Sequence, residues 1–186
     1  MARLNEFFSR IDTDLMLDYC MRHGDTAFYA RGEHFAQEGE LCRYIGFVRR
    51  GYFKYSRVTS KGEEAVNGFT FCNEVVGDYV MSFLHGRPAM CSIIAGADSE
   101  VIQVPVKALR DYVAGHSPNF MIDTASVVLM EAYRRYTDLH TLTPQERYGA
   151  LLERYPHVID EIPLQEIASF LNVSRRQFQR IREIFR

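Results

Sequence analysis

The chain reads as an α+β protein: a strand-rich first half folded into a small barrel or sandwich, then one long helix, then a C-terminal helix-turn-helix. Three observations carry this. Between Phe28 and Val104, short segments rich in aromatic and β-branched residues are broken by Gly32, Gly39, Gly51, Gly62, Gly77, Gly86 and Gly96, the punctuation of consecutive strands. From Ser117 that punctuation stops and a helical apolar pattern runs to about Leu142. From Ile162 to Arg186 two amphipathic segments flank Asn172, and the second carries an arginine-rich face.

Composition sets the outer limits. A chain of 186 residues with 47% hydrophobic and 25% charged content can bury one large or two small cores, which excludes a disordered protein. No apolar run approaches the roughly 18 residues of a membrane span and no charged-then-apolar leader follows Met1, so the expected location is the cytoplasm. Cys20, Cys42, Cys72 and Cys91 are too widely spaced for a zinc or clustered iron–sulfur site and are expected as reduced, packed thiols.

Taken in order, residues 1 to about 24 should form a lid or support helix, with Leu4, Phe7, Phe8, Ile11, Leu15 and Tyr19 on its apolar face. Tyr44 to Val48 and Tyr52 to Val58 are strands on either side of an Arg49-Arg50-Gly51 turn. Ser60-Lys61-Gly62 makes a second turn before a strand from Glu64 to Phe71. Ser117-Pro118-Asn119 can open the long helix, serine capping and proline in the first turn. Met121, Ala125, Val128, Ala132, Tyr136 and Leu139 make one apolar stripe on it; Ile122, Leu129, Tyr133 and His140 make a second. Two stripes need two neighbours, so one should cover the strands and the other the same helix of a second copy, in a two-fold homodimer. Thr143-Pro144 ends this helix and starts another over Gln145 to Tyr155.

The C-terminal pair begins with a helix from about Pro163 to Leu171, its inward face marked by Ile167 and Leu171 and its close crossing by Ala168. Asn172 suits a left-handed turn, and Ser174 is a natural N-cap for the second helix. There Phe178, Ile181 and Phe185 share one face while Arg175, Arg176, Gln179 and Arg180 share the other, with Arg182 nearby. Five arginines (Arg175, Arg176, Arg180, Arg182, Arg186) stand against Glu183 alone, on a chain whose net charge is -2. Long donors near the start of an exposed helix are what the major groove requires, since arginine contacts guanine in bidentate fashion and also neutralises phosphate. The expected partner is double-stranded DNA with a palindromic site.

In order along the chain, Gln37-Glu38-Gly39-Glu40, Tyr44-Ile45-Gly46-Phe47-Val48 with Gly51, Val76-Gly77-Asp78, Gln165-Glu166-Ile167 and Ser174-Arg175 resemble the Crp/Fnr superfamily of bacterial transcription regulators. The resemblance covers the chain from about Phe28 onward. It implies a cyclic-nucleotide-binding-type β-barrel of jelly-roll topology over residues 1 to 116 and a dimerisation helix over 117 to 142. Residues 143 to 186 would be the DNA-binding helix-turn-helix. It also implies control by a small effector held in the barrel.

The sequence departs from that pattern twice. In the cyclic-nucleotide binders of the family a Gly-Glu pair holds the ribose and an Arg-Ser or Arg-Thr pair holds the cyclic phosphate. Here Gly77 is followed by the shorter Asp78, and the phosphate-holding positions fall near Ala89 and Met90, with Arg87 and Ser92 out of register. Gly77, Asp78, Ser82, Arg87, Ala89, Met90 and Ser92 are therefore the candidate effector pocket. Losing the arginine should weaken cyclic nucleotide binding at least tenfold, which disfavours cyclic AMP and leaves the effector unknown. The pocket is alternatively filled by Met81, Phe83, Leu84, Met90 and Ile93. The second departure is that the sequence stops where the family continues into a β-hairpin wing. A winged helix lacking its wing should neutralise fewer phosphates and show a shallower salt dependence.

Two other readings stand beside this one. A metal enzyme of cupin type would need clustered ligands. His23, His34, His85, His116, His140 and His157 include no His-x-His or helical His-x-x-x-His pair, so no metal, cofactor or catalytic residue is assigned and no enzyme is expected. The other is an effector-sensing interaction module whose C-terminal helices grip a protein such as RNA polymerase and not DNA.

Overall fold

The computed structural model describes residues 13–117, 119–154 and 161–185. Its elements in chain order are α1 (Thr13–His23), β1 (Asp25–Tyr29), β2 (His34–Ala36), β3 (Tyr44–Arg50), β4 (Tyr52–Val58), β5 (Glu64–Phe71) and β6 (Val75–Val76). A π-helical turn (Tyr79–Leu84) follows, then β7 (Ser92–Ala95), β8 (Ser99–Pro105), α2 (Val106–His116), α3 (Phe120–Thr141), α4 (Pro144–Arg154), α5 (Leu164–Phe170) and α6 (Arg175–Ile184).

The strands form two antiparallel four-stranded sheets, ordered β1-β8-β3-β6 and β2-β7-β4-β5. This corrects the expected barrel: among the described residues no ladder joins the sheets, and the arrangement is a sandwich. Closure requires a continuous ladder around the ring. Here β6 offers only two pairs, Gly46 with Val76 and Phe47 with Val75, while β2 is irregular between His34 and Ala36 where it meets β7. The inner faces still meet. Phe35, Phe53, Ile93 and Ala95 from one sheet pack with Val48, Val76 and Val101 from the other in a single buried cluster.

The second turn falls where expected, whereas in the first Arg49 and Arg50 belong to β3 and Gly51 alone links it to β4. Gly51 has φ +81, and a Cβ there would run into Ser99 and the Asp98 carbonyl, so no other residue fits this tight link between β3 and β4. Gly62 closes the β4–β5 hairpin at φ +80, with its amide donating to the Thr59 carbonyl at 2.9 Å.

Three features of the helices differ from expectation. Residues 106–116, not assigned beforehand, form α2, whose Val106, Leu109 and Val113 recur at helical spacing and are buried with Met16 and Cys20 of α1. Burial pushes the Cys20 thiol up to about 12. Of the N-terminal apolar face, Leu15 and Tyr19 pack on this cluster, while Leu4, Phe7, Phe8 and Ile11 lie outside the described residues. The long helix starts at Phe120 with Asn119 as its N-cap and no side-chain cap; Ser117 is extended and ends α2. Pro118 lies outside the described residues. The α4 start is firmer, because the Thr143 amide donates to Glu146 at 2.8 Å and the Glu146 amide to Thr143 Oγ1 at 3.3 Å, a reciprocal cap.

The core under the C-terminal helices continues into the second sheet. Tyr52, Val66, Phe69 and Phe71 of β4 and β5 are buried in one cluster with Tyr148, Leu151, Ile162, Ile167, Ala168, Leu171, Phe178 and Ile181. Side chains from the helices also close the outer edge of β5. Ser169 Oγ accepts from the Val66 amide at 2.9 Å and donates to the Glu64 carbonyl, and Arg135 donates to the Asn67 carbonyl at 2.9 Å. An edge strand that would otherwise invite another chain is thereby covered.

Candidate nucleic-acid interface and effector pocket

The turn between α5 and α6 is built as its sequence requires. Asn172 sits at φ +54, a left-handed conformation that asparagine tolerates better than other non-glycine residues. Ser174 then caps α6: its Oγ accepts from the Gln177 amide at 3.2 Å, while the Ser174 amide donates to Gln177 Oε1 at 3.4 Å. The reciprocal half of this cap went unassigned in the sequence, although a serine with a glutamine three residues on is a readable signal. The cap fixes the first turn of α6, and with it the direction of the side chains that leave it.

Phe178 and Ile181 anchor the helix; they are 0% and 4% exposed. Arg175, Arg176, Gln179 and Arg180 are exposed on the opposite side, as is Ser174, whereas Arg182 is half-buried. Phe185 was expected on the buried face but is 44% exposed, its ring meeting Tyr148 edge-on at 5.2 Å. Arg186 lies outside the described residues. The outward face of α6 thus brings together three unburied guanidinium groups and an amide on one capped helix. Chemically it can donate many hydrogen bonds and neutralise anionic oxygen.

Behind it, α5 is held to the second sheet by a polar contact that the sequence did not single out. Glu166 accepts from Lys54 at 3.0 Å and from the Tyr52 hydroxyl at 3.2 Å, and Lys54 also reaches Glu64 at 2.7 Å. Burial lowers the Lys54 pKa, but its bonds to Glu64 and Glu166 outweigh that and leave it raised. Burial together with the Glu166 charge raises the Tyr52 phenol.

The effector-pocket candidates separate into two groups. Gly77, Asp78 and Ser82 are buried and joined: Asp78 accepts from the Met81 amide and from Ser82 Oγ, both at 3.2 Å, and so caps the π-helical turn. Burial raises the Asp78 pKa despite these bonds. A Cβ on Gly77 would meet Ile45, so the glycine also serves packing. The backbone of Arg87 closes the turn, its carbonyl accepting from Ser82 Oγ at 3.0 Å, but its side chain is exposed. Ala89 is buried and strapped by its backbone to Gly39 and Glu40, and Ser92 Oγ accepts from the Glu38 amide at 3.1 Å.

Met90 is 58% exposed and does not help to fill the sandwich, contrary to expectation. Phe83 and Ile93, each 0% exposed, lie in the core. Tyr55 was not anticipated as a pocket residue. Its hydroxyl donates to the Gly77 carbonyl at 3.2 Å and accepts from the Gly77 amide at 3.3 Å and from Thr70 Oγ1 at 3.2 Å. Tyr55 follows Phe53 on the inner face of β4, as strand alternation requires, and the extra residue in the ladder between Tyr55 and Ser56 is Asn67 of β5.

Of the proposed dimer stripe, Met121 and Val128 pack against the core of the monomer, whereas Ala125, Ala132, Tyr136 and Leu139 are exposed. The second stripe faces outward more fully, with Ile122, Leu129 and Tyr133 at 68%, 69% and 65% exposure. Among the described residues no cluster of His, Cys, Asp or Glu is arranged to hold a metal ion, and no helix is long and apolar enough to cross a membrane.

Residues 26–116 match the family described as the cyclic nucleotide-binding domain. No curated protein matches the chain in sequence. Among solved structures, FixK2 from Bradyrhizobium japonicum superposes with a TM-score of 0.71 at 17% identity, covering 86% of this chain and 83% of that one. The c-di-GMP-responsive global regulator CLP of Xanthomonas campestris gives 0.65 at 15%, covering 94% and 91%. The catabolite activator protein of Thermus thermophilus gives 0.57 at 18%, covering 96% and 85%. The chain therefore shares the fold of these three proteins, and its residues 26–116 are similar to the cyclic nucleotide-binding domain.

Proposed function

We propose that the protein is a homodimeric, DNA-binding transcription regulator of the Crp/Fnr type. In this reading residues 1–116 are the sensor, 117–142 the dimerisation helix and 143–186 the DNA-binding unit. The observation that carries it is the outward face of α6: Arg175, Arg176, Gln179 and Arg180 exposed together on a helix fixed by the Ser174–Gln177 cap and by buried Phe178 and Ile181. Those arginines suit base edges and phosphates in the major groove. The exposed stripe of Ile122, Leu129, Tyr133 and Tyr136 on α3 supports pairing with a second copy. A two-fold pair can present its reading helices about 34 Å apart, one turn of duplex. The resemblance of the fold to regulators supports a role without catalysis.

The effector in this reading is not a cyclic nucleotide. The Asp78 carboxylate is engaged within its own turn, Ala89 offers no donor, and the Tyr55 hydroxyl occupies the backbone of Gly77. Any ligand entering between the sheets has to displace Tyr55, which favours a small, weakly charged molecule over a phosphodiester.

The test is selection of duplexes from a random library by the full chain, followed by fluorescence anisotropy on the enriched site. Arg175→Ala and Arg180→Ala should each weaken specific binding by about 1–3 kcal/mol, roughly tenfold or more, and leave the oligomeric state unchanged. Enrichment of no sequence, or both variants binding like the parent, would refute the assigned reading face.

A further inference from the structure

A cavity of about 640 Å³ lies between β5, α3, α4 and α5, apart from the effector-pocket residues. Its size is that of a small-molecule site. Val66, Val128, Leu139, Leu151 and Phe170 supply apolar wall, so the body of any occupant is hydrophobic.

The charged groups in the wall decide what else it carries. Among the described residues they are three arginines, Arg134, Arg135 and Arg147, and two acids, Glu131 and Asp138. Arg134 pairs with Glu131 at 2.6 Å and with Asp138 at 2.7 Å, and Arg135 approaches Glu131 at 3.6 Å. Both acids are thus engaged by the first two cations. Arg147 pairs with no carboxylate among the described residues. Its Nη1 and Nη2 donate to the neutral carbonyls of Leu142 and Leu171 at 2.6 and 2.9 Å, and its Nε is buried with no hydrogen-bond partner among the described residues. A guanidinium has five N–H donors, so these two bonds leave it under-satisfied as well as unneutralised.

We propose that this cavity binds an amphipathic monocarboxylate, its carboxylate on Arg147 and its hydrocarbon body along the apolar wall. One negative charge matches Arg147, the surplus cation among the described residues of the wall, whereas a phosphate dianion would leave an unmatched charge against hydrocarbon. A carboxylate also fits the planar fork of arginine. Because the walls come from the sheet, the long helix and the helices that carry α6, the occupant touches all three at once. A ligand that favours this arrangement changes the affinity of any partner of α6, and that partner changes the ligand's affinity by the same factor. The site goes beyond the effector pocket of the sandwich and does not require that α6 read DNA.

Calorimetric titration of the full chain with decanoate and with 1-decanol, run without DNA, tests it. Decanoate should bind at a single site per chain and at least tenfold more tightly than decanol, the weight of a charge-assisted hydrogen bond. Arg147→Gln should erase that preference and leave decanol binding in place. Ala150→Phe, placed at an exposed position on the cavity wall, should abolish both while the thermal midpoint stays near that of the parent. Equal affinity for the two probes, binding of neither, or decanoate binding undiminished in Ala150→Phe would overturn the proposal. Binding of neither is also the result expected if side chains of a second copy fill the space. Should Arg147→Gln fail to fold, the comparison of probes and the Ala150→Phe variant still decide. A chain that binds decanoate but no DNA would sink only the reading of α6.

Discussion

Replacing Glu166 with glutamine probes the buried ion pair that ties α5 to the sandwich. The Lys54 and Glu166 side chains are each 12% exposed and meet at 3.0 Å, and Tyr52 adds a bond at 3.2 Å. A hydrogen bond to a charged group contributes about 1.5–3 kcal/mol, and removing one partner of a fully buried pair costs about 3–5 kcal/mol. Lys54 keeps Glu64, whose side chain is 40% exposed, and glutamine still offers an acceptor, so the lower range applies. Glu166→Gln should therefore destabilise by about 1–3 kcal/mol, or about 2–10 °C in Tm for a chain of this size. The assay is urea denaturation of the parent, Glu166→Gln, Lys54→Met and the double variant, which isolates the pairwise term. We expect a coupling of about 1–2 kcal/mol. The sign with pH follows from the raised Lys54 pKa: the contribution is fully present below the value of free lysine, about 10.4, and is lost as pH rises through the higher folded value. The raised Tyr52 phenol acts in the same direction. A coupling under about 0.5 kcal/mol at pH 7, within the additivity error of separate sites, would refute the claim that this contact holds α5 in place.

Three further outcomes follow. Tyr55→Phe removes the hydroxyl that bonds Gly77 and Thr70 and should cost about 1 kcal/mol without creating cyclic AMP binding; a micromolar Kd for cyclic AMP in the parent or the variant, measured calorimetrically, would contradict the account of the pocket. For Asp78 the folded pKa is raised by burial, so its contribution is most favourable below the free-carboxyl range and is lost as pH rises through the folded value. The Tm of Asp78→Asn relative to the parent should accordingly be higher at pH 7 than at pH 4, and a difference independent of pH would count against the burial of that carboxylate. Leu129→Asp, at a position 69% exposed, should yield a folded monomer by sedimentation if α3 pairs two copies, whereas a dimer of unchanged strength would place the interface elsewhere.

What was legible in the sequence followed from local chemistry. The turns at Gly51 and Gly62, the left-handed Asn172 and the Ser174 cap each depend on a few adjacent residues, and each appears as its residue types dictate. Phe178 and Ile181 on the inside and Arg175, Arg176 and Arg180 on the outside follow from the period of a helix. What escaped depends on partners distant in sequence. A sandwich and a barrel share the same strand signals and differ in whether edge strands find each other across the fold. Lys54 and Glu166 are separated by 112 residues, and neither is unusual until α5 lies on β4 and β5. Tyr55 follows Phe53 inward at strand period, but its bond to Gly77 joins residues 22 apart in sequence, which the period alone does not show. Val106, Leu109 and Val113 recur at helical spacing, but β8 runs directly into α2 at Pro105 with no loop residues to mark the change of period.

The aromatic floor formed by Tyr52, Phe69 and Phe71 is shared property of the sheet and of the helices above it. Cutting the chain before α4 would uncover those rings and leave a sticky, aggregation-prone remnant, and the excised helices would lose the sheet side of their buried cluster. Swapping such ends between relatives is therefore no simple exchange of cassettes. Any successful chimera has to carry the matching rings along.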